Sequence, residues 1–154
     1  VRERPLKLLE ARKMHLSKSL HFPEESSKVF TRNGVSFAYL FGSRARGTAR
    51  EDSDYDLAVL FKTSNVTVMD EVKLAKELAE VLKIPADKVD VTSLNRADPS
   101  LLTRIFREGI LVYTSSLDEQ KKWEREAYLN LLRQADLNAI YTSKTIRSSK
   151  PRKN

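Results

Sequence analysis

The stretch FGSRARGTAREDSDYDLAVLF, residues 41–61, constrains this chain more than any other. VSFAYLF (35–41) is short, aromatic and β-branched, which predicts a buried strand. Gly42-Ser43 ends it, GTAREDS is a polar loop, and DYDLAVLF (54–61) is a second strand. Side chains alternate along a strand, so Asp54 and Asp56 share one face, while Tyr55, Leu57 and Val59 turn to the other, into a core. Two carboxylates on one face repel each other, and burying them is costly unless a positive charge meets them. A hard divalent cation such as Mg²⁺, which binds through one or two carboxylates plus substrate phosphates, supplies that charge. No His or Cys accompanies the pair, which argues against zinc.

Gly42 lets a backbone approach a ligand closely. The Ser43 hydroxyl and neighbouring N–H groups, where a helix starts there, suit a phosphate. Phosphate grip and metal site together describe a nucleotide triphosphate site. Gly42 to Gly47 also fits the G-x-x-x-x-G of a P-loop, but Thr48 stands where that motif needs Lys, and the P-loop is rejected. A third acid, Asp90, lies between Val89 and Val91 in KVDVT and projects opposite a buried face. If its strand pairs beside the second, Asp90 completes a three-acid cluster able to hold two Mg²⁺ ions.

The remaining elements alternate. An apolar helical pattern runs over about 16–33 and stops at RNG; a helix over 69–83 carries Val72, Ala75, Leu78, Ala79 and Leu82 as its stripe and ends before Pro85. A third strand covers 88–94, and a short helix follows with Asp98 as N-cap, Pro99 in its first turn and Gly109 at its end. ILVYT is a fourth strand. A long helix from Leu117 to about Tyr141 carries Trp123, Ala127, Leu131 and Ala135 on one side. The expected class is α/β (α+β): a small mixed sheet flanked by helices, with a long C-terminal helix.

At 154 residues the chain suits one domain. We divide it into a basic N-terminal extension (1–13), the domain (14–143) and a basic tail (144–154). The extension carries net +3 and the tail +5, which leaves −1 between them out of +7 overall. The ends, rather than the body, can therefore attract a polyanion such as RNA, and a near-neutral body disfavours long nucleic acid. The chain has no cysteine, no apolar run of membrane-spanning length and no secretory h-region at its start, which suits the cytoplasm. Arg44 and Arg46 read as phosphate or partner contacts, or as solvated first-turn residues; Arg50 reads as solvated. Tyr113, Trp123 and Tyr128 read as core. His15 and His21 have no metal spacing.

Gly-Ser, ten residues, Asp-x-Asp and then an apolar strand resembles the nucleotidyltransferase superfamily of DNA polymerase β. Gly42, Ser43, Asp54 and Asp56 match that motif position by position, and Asp90 matches its third acid. FGSRARGTAREDSDYDLAV and LLTRIFREGILVY are similar to the minimal nucleotidyltransferases (MNT, MntA-type antitoxins) over roughly 35–115. The resemblance implies transfer of AMP from ATP to a tyrosine hydroxyl of a HEPN-domain ribonuclease toxin, releasing pyrophosphate. It also implies Asp54, Asp56 and Asp90 as Mg²⁺ ligands, Asp90 assisting deprotonation, and Gly42 and Ser43 holding the triphosphate. Two other readings stand beside it: the same chemistry on a small molecule or RNA end, and an antitoxin that neutralises its partner by binding alone.

Overall fold

The computed structural model describes residues 22–148. Four strands form one mixed sheet in the order β3-β2-β1-β4. These are β1 (Val35–Phe41), β2 (Tyr55–Phe61), β3 (Val89–Ser93) and β4 (Ile110–Thr114). β1 lies antiparallel to both β2 and β4, whereas β2 and β3 run parallel. A parallel neighbour needs a crossover. Helix α3 (Val68–Leu82) supplies it between β2 and β3. The other helices are α1 (Glu24–Arg32), α2 (Gly42–Arg46), α4 (Pro99–Glu108) and α5 (Leu117–Ser148). The expected mixed α/β architecture with a long last helix is what the chain adopts.

Both faces of the sheet are covered, which is why β1 reads as an almost unbroken apolar run. Val35, Ala38 and Leu40 of β1 join Leu57, Val59 and Phe61 of β2 under α1 and α3, with Val29, Phe30, Leu74 and Leu78 filling that layer. Phe37, Tyr39 and Phe41 turn the other way, with Ala58, Leu94 and Ile105, toward α4 and α5. By the same alternation Asp56 lies on the α4 side of β2, and Asp90 on that side of β3.

Local signals set most boundaries. α3 opens with a capping box: Asp70 N–H donates to the Thr67 hydroxyl, and the Thr67 N–H donates to Asp70 at 2.8 Å. It stops at Lys83, in the left-handed region, two residues before Pro85. Asp98 caps α4 by accepting the Leu101 N–H at 2.8 Å. Tyr113 stacks on Phe30, Trp123 packs on Phe37, and Tyr128, more exposed, meets Phe106 edge-on.

Besides Tyr128, which is exposed rather than core, three expectations change. The first concerns the α3 stripe. Ala75, Leu78 and Ala79 are buried as expected and Leu82 partly so, but Leu74 is fully buried in place of Val72, which is exposed, so the stripe is displaced at its N-terminal end. The second concerns α5, which continues to Ser148 because no Gly or Pro interrupts it before Pro151. Its Trp123, Ala127 and Leu131 are half-buried, but Ala135 is exposed, since the body ends beneath Leu131. The third concerns the first helix, which begins at Glu24, behind Pro23. Residues 1–21 and 149–154, with the N-terminal extension, Leu16, Leu20, His15, His21 and the end of the basic tail, lie outside the described residues.

Leu74→Ala is expected to cost about 2–5 kcal/mol in chemical denaturation, and Val72→Ala less than about 0.5 kcal/mol. The reverse order would place the wrong face of α3 on the sheet.

Candidate active site

The site is built on the turn that leaves β1. Gly42 has φ +73° and starts α2 directly from the strand. A β-carbon here would collide with Asp56 Oδ2, so the backbone lies against that carboxylate. Glycine is required twice over: by the left-handed conformation and by the contact. Phe41 and Asp56 are register partners across β1 and β2, which fixes the turn over the acid.

The loop back to β2 is held from inside. Arg44 donates to the Ser53 carbonyl at 2.6 and 3.0 Å and to the Glu51 carbonyl at 3.3 Å, and its guanidinium lies 3.9 Å above the Tyr55 ring. Thr48 N–H donates to the Ser43 carbonyl at 3.1 Å. The ten residues between Gly42-Ser43 and Asp54 are therefore a fastened loop, and Arg44 is its clasp. Arg46 is turned to the other side, in a two-pronged pair with Glu108 at 3.0 and 3.2 Å.

Asp56 and Asp90 are direct register partners on the parallel strands β2 and β3. Asp54 stands just before β2, half-exposed, 3.4 Å from Lys88 Nζ, which also donates to the Asp52 carbonyl. Burial pushes the Asp56 carboxyl above the usual carboxylate range; Asp90 and Asp54 push the same way, against Arg104 and Arg46. Folded Asp56 thus holds its proton to higher pH than it does in the unfolded chain. The stability this gives is present in acid and is lost as pH rises through the folded value, so at neutral pH the ionised carboxylate works against the fold.

Sequence reasoning passed over three residues. Glu108, at the end of α4 with its side chain 9% exposed, accepts the Gly42 N–H at 3.2 Å and gathers Arg46 and Arg104. Burial raises its carboxyl, but Arg46, the Gly42 N–H and Arg104 outweigh that and hold it below the usual range. An acid at a helix C-terminus opposes the helix dipole, and that local mismatch was the available signal for a tertiary role. Arg104 lies over the Phe41 ring and Lys88 beside Asp54; nothing local marks either one.

The donor set is all hard oxygen: Asp56 against the glycine turn, its register partner Asp90, and Asp54 just before β2, which suits Mg²⁺ rather than a soft metal. Among the described residues no three acidic side chains converge closely enough to form a complete metal site alone. Mg²⁺ characteristically keeps waters and substrate phosphates as its other ligands, so a partial protein set is a fit. A groove of about 310 Å³ lies elsewhere, beside Leu94, Pro99, Leu102, Trp123, Ala127 and Leu131, and none of the acids lines it. No described helix is long and apolar enough to cross a membrane.

Comparison with known proteins matches residues 24–118 to the polymerase β nucleotidyltransferase family. The protein adenylyltransferase MntA of Aphanizomenon flos-aquae (strain 2012/KM1/D3) is 32% identical over 97 residues, 59% of this chain and 65% of that protein. The chain thus spans just under two thirds of that relative's length. A candidate protein adenylyltransferase of Methanocaldococcus jannaschii is 38% identical over 82 residues, 53% of this chain and 84% of that protein. Among solved structures, a toxin–antitoxin crystallised with AMP-PNP superposes with a TM-score of 0.59 at 25% identity, over 77% of this chain and 94% of that one.

Gly47 has φ +74° and nothing within 4 Å of its would-be β-carbon, so it isolates the contact at Gly42. Gly42→Ala is expected to cost about 1–3 kcal/mol more than Gly47→Ala in denaturant melts. Most of that excess should vanish when Asp56 is also Ala. Equal costs would mean that Asp56 does not lie against the turn.

Proposed function

The chain belongs to the polymerase β nucleotidyltransferase family, and we propose that it is a Mg²⁺-dependent protein adenylyltransferase. Its proposed role is that of antitoxin to a HEPN-domain ribonuclease toxin, in the cytoplasm. The observation that carries this reading is the Gly42 backbone packed on Asp56, with Asp90 as that acid's register partner. The enzyme name of the two relatives and the AMP-PNP-bound toxin–antitoxin neighbour support it.

In this reading Asp54, Asp56 and Asp90 hold two Mg²⁺ ions. Bound there, Mg²⁺ offsets the charge of the triphosphate and makes a nearby hydroxyl easier to ionise. Gly42 and Ser43 seat the triphosphate of ATP against the turn. Asp90 takes the proton of a tyrosine hydroxyl on the toxin. The tyrosine oxygen bonds to the α-phosphorus, the bond from that phosphorus to the oxygen bridging to the β-phosphate breaks, and pyrophosphate leaves with the electron pair. Arg44 serves by fixing the loop that presents Asp54. Arg46, exposed at the edge of the turn, reaches a phosphate by exchanging Glu108 for a phosphate oxygen. Lys88 releases Asp54 as a cation takes its place.

Purified protein with Mg²⁺, α-labelled ATP and a HEPN-domain toxin as acceptor is expected to label a toxin tyrosine. Asp90→Asn should slow labelling by about 10²–10⁴-fold, and Asp54→Asn/Asp56→Asn should abolish it. Label on a small molecule or an RNA end instead would keep the chemistry and change the acceptor. An unlabelled toxin silenced equally by the double variant would make the protein a binding antitoxin and overturn the catalytic reading.

A further inference from the structure

Glu108 already occupies the donors that a triphosphate would use. It is the last residue of α4, and its carboxylate reaches across to the turn that leaves β1. One oxygen accepts the Gly42 N–H at 3.2 Å. Arg46 Nη1 donates to both oxygens, at 3.2 and 3.0 Å. Arg104, one turn back on α4, stands 3.8 Å away. The Glu108 side chain is 9% exposed, whereas that of Arg46 is 48% exposed and open to a ligand. A carboxylate so enclosed persists only where positive and polar donors meet it, and these groups do so.

A guanidinium and a backbone N–H bind the oxygens of a carboxylate and of a phosphate in the same way. Gly42 has one N–H to give, and the charge of Arg46 is already matched. A phosphate brought to the pair would also lie beside a carboxylate of its own charge, in poorly solvated surroundings. Exchange does not need α4 to move. Its end is closed by the Gly109 N–H, which donates to the Ile105 carbonyl at 2.8 Å. Rotation of the Glu108 side chain is enough, and Arg104, four residues back and half-exposed, stands where it can receive the displaced carboxylate.

We propose that Glu108 is an internal competitor for the phosphate seat: its carboxylate occupies Gly42 and Arg46 in the empty protein, and a nucleotide binds only as it withdraws. The proposal rests on the reading of Gly42 and Arg46 as triphosphate contacts. The occupied form keeps the turn in shape without a ligand, and the returning carboxylate helps pyrophosphate to leave. Nucleotide affinity is lowered by the fraction of molecules in which the seat is free.

Calorimetric titration of the full chain with AMP-PNP and Mg²⁺, and separately with pyrophosphate and Mg²⁺, tests this. Glu108→Gln keeps the size of the side chain and an acceptor for the Gly42 N–H but removes the charge. Both probes should bind it at least about tenfold more tightly than they bind the natural chain. The same variant should melt lower without ligand, because its pair with Arg46 is broken. A bracket that merely held the turn would lose affinity together with stability, so the opposite signs identify a competitor. The gain should shrink in an Arg46→Gln background. Glu108→Ala should bind more tightly as well and replaces Glu108→Gln if circular dichroism shows that variant unfolded. Affinity unchanged or lowered in the folded variant, while the natural chain binds AMP-PNP, overturns the proposal and leaves the nucleotide reading standing. So does a gain undiminished by Arg46→Gln. Binding of neither probe to any of these proteins overturns both.

Discussion

The carboxylate of Asp56 lies directly under the backbone of Gly42, and the other parts of the site are arranged around that contact. A side chain at position 42 would strike Asp56, and no ordinary residue holds φ +73° there without strain. The glycine lets β1 turn into α2 within one residue, and that lays the turn's backbone against the acid. Arg44 then closes the loop onto Tyr55 and Ser53, so that Asp54 arrives next to β2 in a fixed place. Glu108 holds the far side of the same turn from α4.

The arrangement costs stability. Asp56 is partly buried, faces Asp90 across the parallel pair and feels Asp54. Arg104 and Arg46 offset only part of this, and Lys88 is turned to Asp54. A fold that sets Asp56 partly buried beside Asp90, with Asp54 nearby, is less stable than it would be with an amide at 56. Such a local penalty is expected at a site tuned for a ligand rather than for the fold. The same acids that oppose the fold would favour a divalent cation.

Much of this was legible in the sequence because it depends on local rules. Strand alternation put Asp56 and Asp90 on one side of the sheet, although β2 starts at Tyr55 and leaves Asp54 just outside the strand; Asp98 and Pro99 marked the start of α4, and the ten-residue spacing located the loop. The pairing of β3 beside β2 was a condition in the sequence and became a register, Asp56 with Asp90, only once the sheet closed. Long-range partners had no such signal. Arg44 could as well have been solvated, and what commits it is a carbonyl nine residues away. Glu108 is 66 residues from the N–H it accepts. Val72 and Leu74 were exchanged because both satisfy an apolar stripe, and only the position of the sheet chooses between them.

The central claim is that the acid cluster under Gly42 is a site for a divalent cation and a triphosphate. Thermal unfolding at neutral pH, for the natural chain and Asp56→Asn, with and without Mg²⁺ and a non-hydrolysable ATP analogue, tests it most directly. Without ligand, Asp56→Asn should melt higher, because it removes a carboxylate that opposes folding. With Mg²⁺ and the analogue the natural chain should rise and overtake the variant, whose melting point should barely move. Equal shifts in both proteins, or none in either, would contradict the account.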